Sequence, residues 1–467
     1  MFKKLFSYDK SLSSLDAGTG TITLRGLAIP IMIENLLRNM LSTVNTLILS
    51  NFSDTAASAI GTATQVTNIV DIIYSSISLG TFVVVSQNLG AGRKERAASA
   101  AGHAIALIVF LGIIAGTVLS SLAPVFMTMM NLTGTVLEEA TAYFRIVSMF
   151  SALQGGVTLL SYICRSHGIT KFNLYSAFSM NILNAILSYL VVFRVVELPL
   201  SGIEGVAYAK VISIAFALLL SIFMVIKAKI NLGISKIFPI NLGIIKDIMK
   251  VGIPSGMTSV SWCLSQAICS SMVASYGDIA LNAKTYVDSV LGYTQAIGIG
   301  IGQAASIMSS RLVGAGEFDK AYRTVMQNHK LGLLGNFSVN TILALLGGVV
   351  IGMFTDDPEV LKLARTVLFI DIWVGIGKSF NLSLEDAIRG SGDSMYQMVM
   401  AMISCFAVTI VSCWLLGTVC GLGLIGCWIA YGLDEWFRGM AYLSRWHSRK
   451  WERSRLIHEE EDGSISA

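Results

Sequence analysis

The chain has 467 residues, 54% of them hydrophobic and only 13% charged, with a net charge of +4 and a mean hydropathy of +0.68. Soluble domains carry about 25% charged residues. A chain this long with so few charges cannot cover a water-soluble surface, so lipid must replace the polar surface it lacks; a soluble enzyme is excluded and no nucleic-acid partner is expected.

Residues 1–21 are polar, with Lys3, Lys4 and Lys10. They read as a cytoplasmic segment and not as a cleavable leader, because the apolar run that follows is too long for one. Six stretches long enough to span, about 20 residues each, fall near 22–49, 55–86, 97–127, 136–164, 173–193 and 203–226. A basic linker, 227–246, leads to six more near 247–275, 279–310, 321–354, 360–388, 395–418 and 423–443, followed by a cytoplasmic tail, 444–467. Runs of this length in lipid are helices. The expected fold is an all-α integral membrane protein with twelve transmembrane helices in two six-helix bundles, 22–226 and 247–443. The cysteines (164, 263, 269, 405, 413, 420 and 427) form no C-x-x-C pair or His/Cys cluster. They read as small buried hydrophobes, with neither a zinc site nor a disulfide framework signalled.

The charges orient the spans. Every second turn carries bases: Arg93, Lys94 and Arg96; Arg165 and Lys171; Lys227 to Lys250; Arg311, Lys320 and Arg323; Arg445 to Arg455. The intervening turns carry Asp54, Asn131, Glu197, Asp278 and Asp356-Asp357, with few bases, chiefly Arg194 and Lys362. Basic loops face the cytoplasm, so both termini are expected inside the plasma membrane.

The two halves are copies. Pro30 and Pro254 stand 224 residues apart (254 − 30). The same offset relates Asp54 to Asp278, Gly90-Ala91-Gly92 to Gly314-Ala315-Gly316, Arg165 to Arg389 and Gly168 to Gly392. Six spans per half is an even number, so the halves share one orientation and form a parallel pseudo-two-fold repeat. Such repeats enclose substrate sites near the membrane midplane, exposed alternately to each side.

At these segments the sequence resembles the multidrug and toxic compound extrusion (MATE) transporters. The resemblance rests on Ser86-Gln-Asn-Leu-Gly-Ala-Gly92 and Arg311-Leu-Val-Gly-Ala-Gly316, on Arg165-Ser-His-Gly168 and Arg389-Gly-Ser-Gly-Asp393, on the openings at Pro30 and Pro254, and on Arg445-Trp446 to Trp451. It covers nearly the whole chain. It implies a secondary exporter of small organic, often cationic, solutes, using H+ or Na+ as coupling ion; no further cofactor and a monomer are expected, and the partners are a small molecule and lipid. Lipid or glycan flippases share the repeat but usually carry fourteen spans. A scaffold or receptor that lost coupling is the other alternative. The chain departs from the family where coupling acids are expected. An Asp late in the first helix is Asn45 here; an Asn followed four residues later by Asp in helix five is Asn184 and Ser188. The Glu of helix seven and the Asp of helix ten fall at Trp262 and Lys378.

A charge at the centre of a membrane helix costs about 2.5–3.5 kcal/mol and is a functional candidate by default. Glu34 with Arg38, Lys284 with Asp288, and Asp434 with Arg438 are spaced for same-face ion pairs, which gives each a structural alternative. Asp71 has only Thr67, Asn68, Tyr74 and Ser75 one turn away, so no base of its own helix holds it ionised. Asn68 and Gln65 extend its polar face. Asp371 also lacks a local partner, with Lys378 two turns on and Asn381 expected on the same wall. Lys378 is also a candidate partner for an acid elsewhere, Asp71 or Glu34. The Gly-Ala-Gly loops lack the Gly-Lys-Ser/Thr of a phosphate cradle and read as tight cytoplasmic turns. A membrane enzyme is the weakest reading: Asp356-Asp357 is a lone acidic pair, and no Ser/His/Asp set appears.

Overall fold

The structure is a computed structural model that describes residues 12, 14–16, 21–50, 54–193 and 202–457, without the side chains of 15, 16, 21, 41–50 and 54–58. Arg194 and Glu197 lie outside the described residues.

Helix follows wherever the apolar runs stand. After a short antiparallel pair, β1 (Ser14–Asp16) and β2 (Thr21–Thr23), with Ser14 opposite Thr23, the first half contains α1 (Leu24–Ser50), α2 (Asp54–Gly90), α3 (Lys94–Ser121) and the short α4 (Ala123–Met129). It continues with α5 (Gly134–Met149), α6 (Ser151–Ser166), α7 (Lys171–Val192) and α8 (Gly202–Lys227). The second half contains α9 (Leu242–Ala274), α10 (Asp278–Ala315), α11 (Phe318–Ile351), α12 (Pro358–Ser391), α13 (Ser394–Ile403) and α14 (Gly423–His447). Residues 404–410 and 413–419 prolong α13 as wide turns. The span expected at 136–164 is broken: α5 and α6 meet at Phe150 with a 50° bend. Its repeat mate α12 runs unbroken for 34 residues. Counting α5–α6 as one span and α13 through residue 419 as another, twelve spans match the sequence reading.

Seven of these helices by themselves, and an eighth as the bent pair, are long and apolar enough to cross a membrane on composition alone. The others carry polar groups into the bundles: Glu34 on α1, Ser261 and Ser265 on α9, Asp371 on α12 and Asp434 on α14 are all buried. Phe110, Ile113, Leu219, Phe223 and Val349 are exposed, as lipid-facing side chains should be.

The chain divides into two compact units. Unit 1 gathers residues 1–32, 86–94 and 253–467; unit 2 gathers 33–85 and 95–252. The units follow the two halves of the sequence except at three short segments, near Pro30, the first Gly-Ala-Gly loop and Pro254. Within unit 1, α12 packs on α10, α11 and α14; within unit 2, α8 packs on α5, α6 and α7. The pairing of the fourth span of each half with the sixth therefore recurs in both copies. In unit 2 the core joins Ile60 and Ala63 of α2 to Phe144 of α5, Val191 of α7 and Ala207 of α8. In unit 1 one core joins Val287, Val367 and Trp428, and another joins Val313, Leu384, Tyr442 and Trp451.

Two features depart from expectation. Cys413 and Cys427 form a disulfide between the wide-turned segment and α14; the sequence gives no sign of it, because the turns after Ile403 set the facing. The tail is folded as far as residue 457. Trp451 is fully buried, stacked on Trp446 at 4.1 Å with an interplanar angle of 6°, and donates Nε1–H to the Trp446 carbonyl.

Candidate functional site

The repeated loops are built for close approach within unit 1. Gly92, Gly168, Gly316 and Gly392 all have positive φ, between 76° and 95°, a region that only glycine enters without strain. A Cβ at Gly90 would strike the Arg311 carbonyl, and one at Gly314 would strike the Gln87 carbonyl. The ends of α2 and α10 therefore pack backbone to backbone. Gln87 donates to the Gly390 carbonyl at 2.9 Å and accepts from the Leu456 amide at 2.9 Å. Gly90 and Gly314 are thus packing glycines, whereas Gly92 and Gly316 are turn glycines.

The loop arginines anchor acids. Arg165 Nη2 reaches both oxygens of buried Glu34, at 2.9 and 3.0 Å, and Arg38 gives the same carboxylate a bond of 3.2 Å. In the second half Arg389 holds Glu385 at 2.6 Å and Asp386 at 2.8 Å. Glu34 thus sits in an ion cluster and lines none of the cavities described below. Asp288 takes its expected partner Lys284 at 2.5 Å and lines none of them either. Asp357, one of the adjacent pair of acids, caps α12 by accepting from the Glu359 and Val360 amides in the first turn, just after Pro358.

Unit 2 contains a chamber of about 590 Å³. Its wall is made by Gln65 and Asn68 of α2, Tyr143 of α5, Gln154 of α6, Asn184 and Ser188 of α7, Lys210 of α8 and Arg38 of α1. Three of these wall residues, Gln65, Asn68 and Asn184, are sequence candidates brought together. The side chain of another candidate, Asn45, lies outside the described residues. A smaller cavity of about 200 Å³ shares Gln154, Lys210 and Ile214 with the chamber and adds Asp71, Ser148 and Ser151. Asp71 therefore faces an interior cavity and not lipid. The cations whose fields reach it are Lys210 and Arg38. Within unit 2 the nearby base that shares a cavity with Asp71 is thus Lys210 of α8. Lys210 is half-buried, with its ammonium 5.8 Å from the centre of the Tyr143 ring. A lone Lys in the apolar run Val206-Ala-Tyr-Ala-Lys210-Val is legible as an intramembrane charge. Its place eight residues into α8, within reach of a helix end, fits a snorkelling side chain equally well, so the sequence alone does not mark it as a wall residue.

Unit 1 holds a much smaller polar cavity of about 20 Å³, lined by Thr294, Gln295, Asn336, Asn340, Asp371 and Lys378. Asp371 is buried and accepts from Trp428 Nε1 at 3.1 Å and Asn340 Nδ2 at 3.3 Å. Asn381 is not on this wall. It is buried against α14 and donates to Glu435 at 2.7 Å, because three residues beyond Lys378 turn a helix about 60° off its face. Glu435 is one of the acids beside Arg438, which also binds Asp434 at 2.5 Å. Trp262 is exposed on the surface of α9.

A membrane-embedded bundle repeated twice, with a polar chamber inside one copy, has the form of a transporter. The MatE family model matches residues 30–190 and 254–415, so its two matches begin at Pro30 and Pro254, 224 residues apart. The chain belongs to this family, the MATE transporters, whose fold is a twelve-helix bundle of two repeats. It is 30% identical over 432 residues to the uncharacterized transporter YisQ of Bacillus subtilis, covering 92% of this chain and 95% of that one. It is 25% identical to the probable multidrug resistance protein NorM of Thermotoga maritima, covering 93% and 94%. An outward-facing multidrug resistance MATE transporter of the MOP superfamily shares the fold with a TM-score of 0.84 at 18% identity, over 96% of this chain and 98% of that one.

Proposed function

We propose that the chain is a secondary exporter of small organic compounds, working by alternating access in the plasma membrane with both termini cytoplasmic and exchanging its solute for protons or sodium ions. The observation that carries this is the 590 Å³ polar chamber of unit 2. It lies in the range of small-molecule sites, about 300–1,000 Å³, and side-chain amides and hydroxyls there, inside a lipid-embedded bundle, serve no purpose in lipid contact. Relatives called probable multidrug resistance proteins support export of organic solutes. Asp71, beside the chamber, is the acid best placed to carry a coupling proton.

The test is reconstitution into liposomes loaded with an organic dye, with proton and sodium gradients imposed separately. Dye efflux above that of empty vesicles under one of the two gradients is expected. Efflux equal to empty vesicles under both contradicts the proposal.

A further inference from the structure

Among the described residues, the ionised side chains on the chamber wall of unit 2 carry one sign. Arg38 and Lys210 line it, and no carboxylate does. Arg38 gives buried Glu34 one bond at 3.2 Å, yet its side chain stays 63% exposed, and the residue lines the chamber. Asp71 acts on Lys210 only from the smaller adjoining cavity, and the two form no ion pair within 4 Å among the described residues. The remaining polar wall, Gln65, Asn68, Asn184 and Tyr143, can donate or accept hydrogen bonds, so it accommodates an anion once the two cations have attracted it.

Taking a charge out of water into such a cavity is unfavourable unless an opposite charge meets it. A cation entering would meet two like charges and, among the described wall residues, no opposite one. An anion would meet two fixed partners and several donors. We infer that this chamber takes an organic anion: an aromatic carboxylate or sulfonate of a few rings, for which its volume has room. The inference rests on the exporter reading and names the substrate class of that site.

Charge movement makes it testable. Exchange of an organic anion leaving for one proton entering moves two or more positive charges inward per cycle, more for a multiply charged dye such as carboxyfluorescein. Exchange of a monovalent cation for one proton moves none. An inside-negative potential therefore drives the first and leaves the second untouched.

Proteoliposomes holding the full chain are loaded with carboxyfluorescein or with ethidium. Efflux is followed under one pH gradient, with and without a potassium–valinomycin potential negative inside. Carboxyfluorescein should leave faster than from empty vesicles and faster still with the potential. Lys210→Gln should slow it about tenfold or more, and Lys210→Arg should restore it, which separates lost charge from lost fold. Preference for ethidium, or carboxyfluorescein efflux unchanged in both Lys210→Gln and Arg38→Gln, overturns the inference and leaves the exporter reading standing. Gradient-dependent efflux of neither dye overturns both.

Discussion

Replacing Glu34 with Gln should unfold unit 2 more readily, without acting first on coupling. Glu34 is 3% exposed and accepts from Arg165 at 2.9 and 3.0 Å and from Arg38 at 3.2 Å. Arg165 is itself buried, so the substitution leaves its guanidinium facing a neutral amide whose NH₂ repels it. Removing one member of a buried pair costs about 3–5 kcal/mol. For a unit of this size each kcal/mol lowers the midpoint by at least ~2 °C, so a fall of roughly 6 °C or more is expected. Arg38→Gln is the control: its side chain is 63% exposed, and a bond at such a site is worth about 1 kcal/mol or less. The assay is thermal unfolding in detergent, followed by tryptophan fluorescence. A wild-type midpoint in Glu34→Gln, or a larger loss in Arg38→Gln than in Glu34→Gln, would refute a structural role for the Glu34 cluster.

Asp71→Asn should abolish proton-driven dye efflux while dye binding survives, because the chamber wall is left intact; unchanged efflux removes Asp71 from coupling. Gly314→Ala drives a Cβ into the Gln87 carbonyl and should cost at least ~1–3 kcal/mol, whereas Gly335→Ala, where a Cβ meets open space, should be neutral or stabilising in the same unfolding assay. Trp451→Ala should cost about 3–5 kcal/mol, since Trp451 is fully buried on Trp446; a midpoint within a degree of wild type would mean the tail is not part of the fold.

The repeat was legible because its markers obey local rules. Gly92 and Gly316 need positive φ, and Gly90 and Gly314 admit no Cβ, so these residues recur wherever the loop recurs. The break at Phe150 and the wide turns after Ile403 were not legible, because no proline or glycine pair marks either site. Helical spacing found Gln65, Asn68 and Asp71, which share a face of α2. It could not find Tyr143 and Lys210, whose place on the wall depends on how α5 and α8 pack. It misplaced Asn381, which Glu435 of α14 holds on another face. The i,i+4 pairing of Glu34 with Arg38 was correct but incomplete, since Arg165 arrives from 131 residues away.

The central claim is that solute occupies the chamber of unit 2. Gly61 lines that chamber, and a Cβ there meets nothing within 4 Å, so a large side chain at this position enters the chamber without striking the backbone. Dye binding and efflux should be measured for Gly61→Trp beside wild type, with the unfolding midpoint recorded for both. Loss of binding and efflux at an unchanged midpoint is the predicted result. Wild-type binding and efflux in the filled variant would contradict the account.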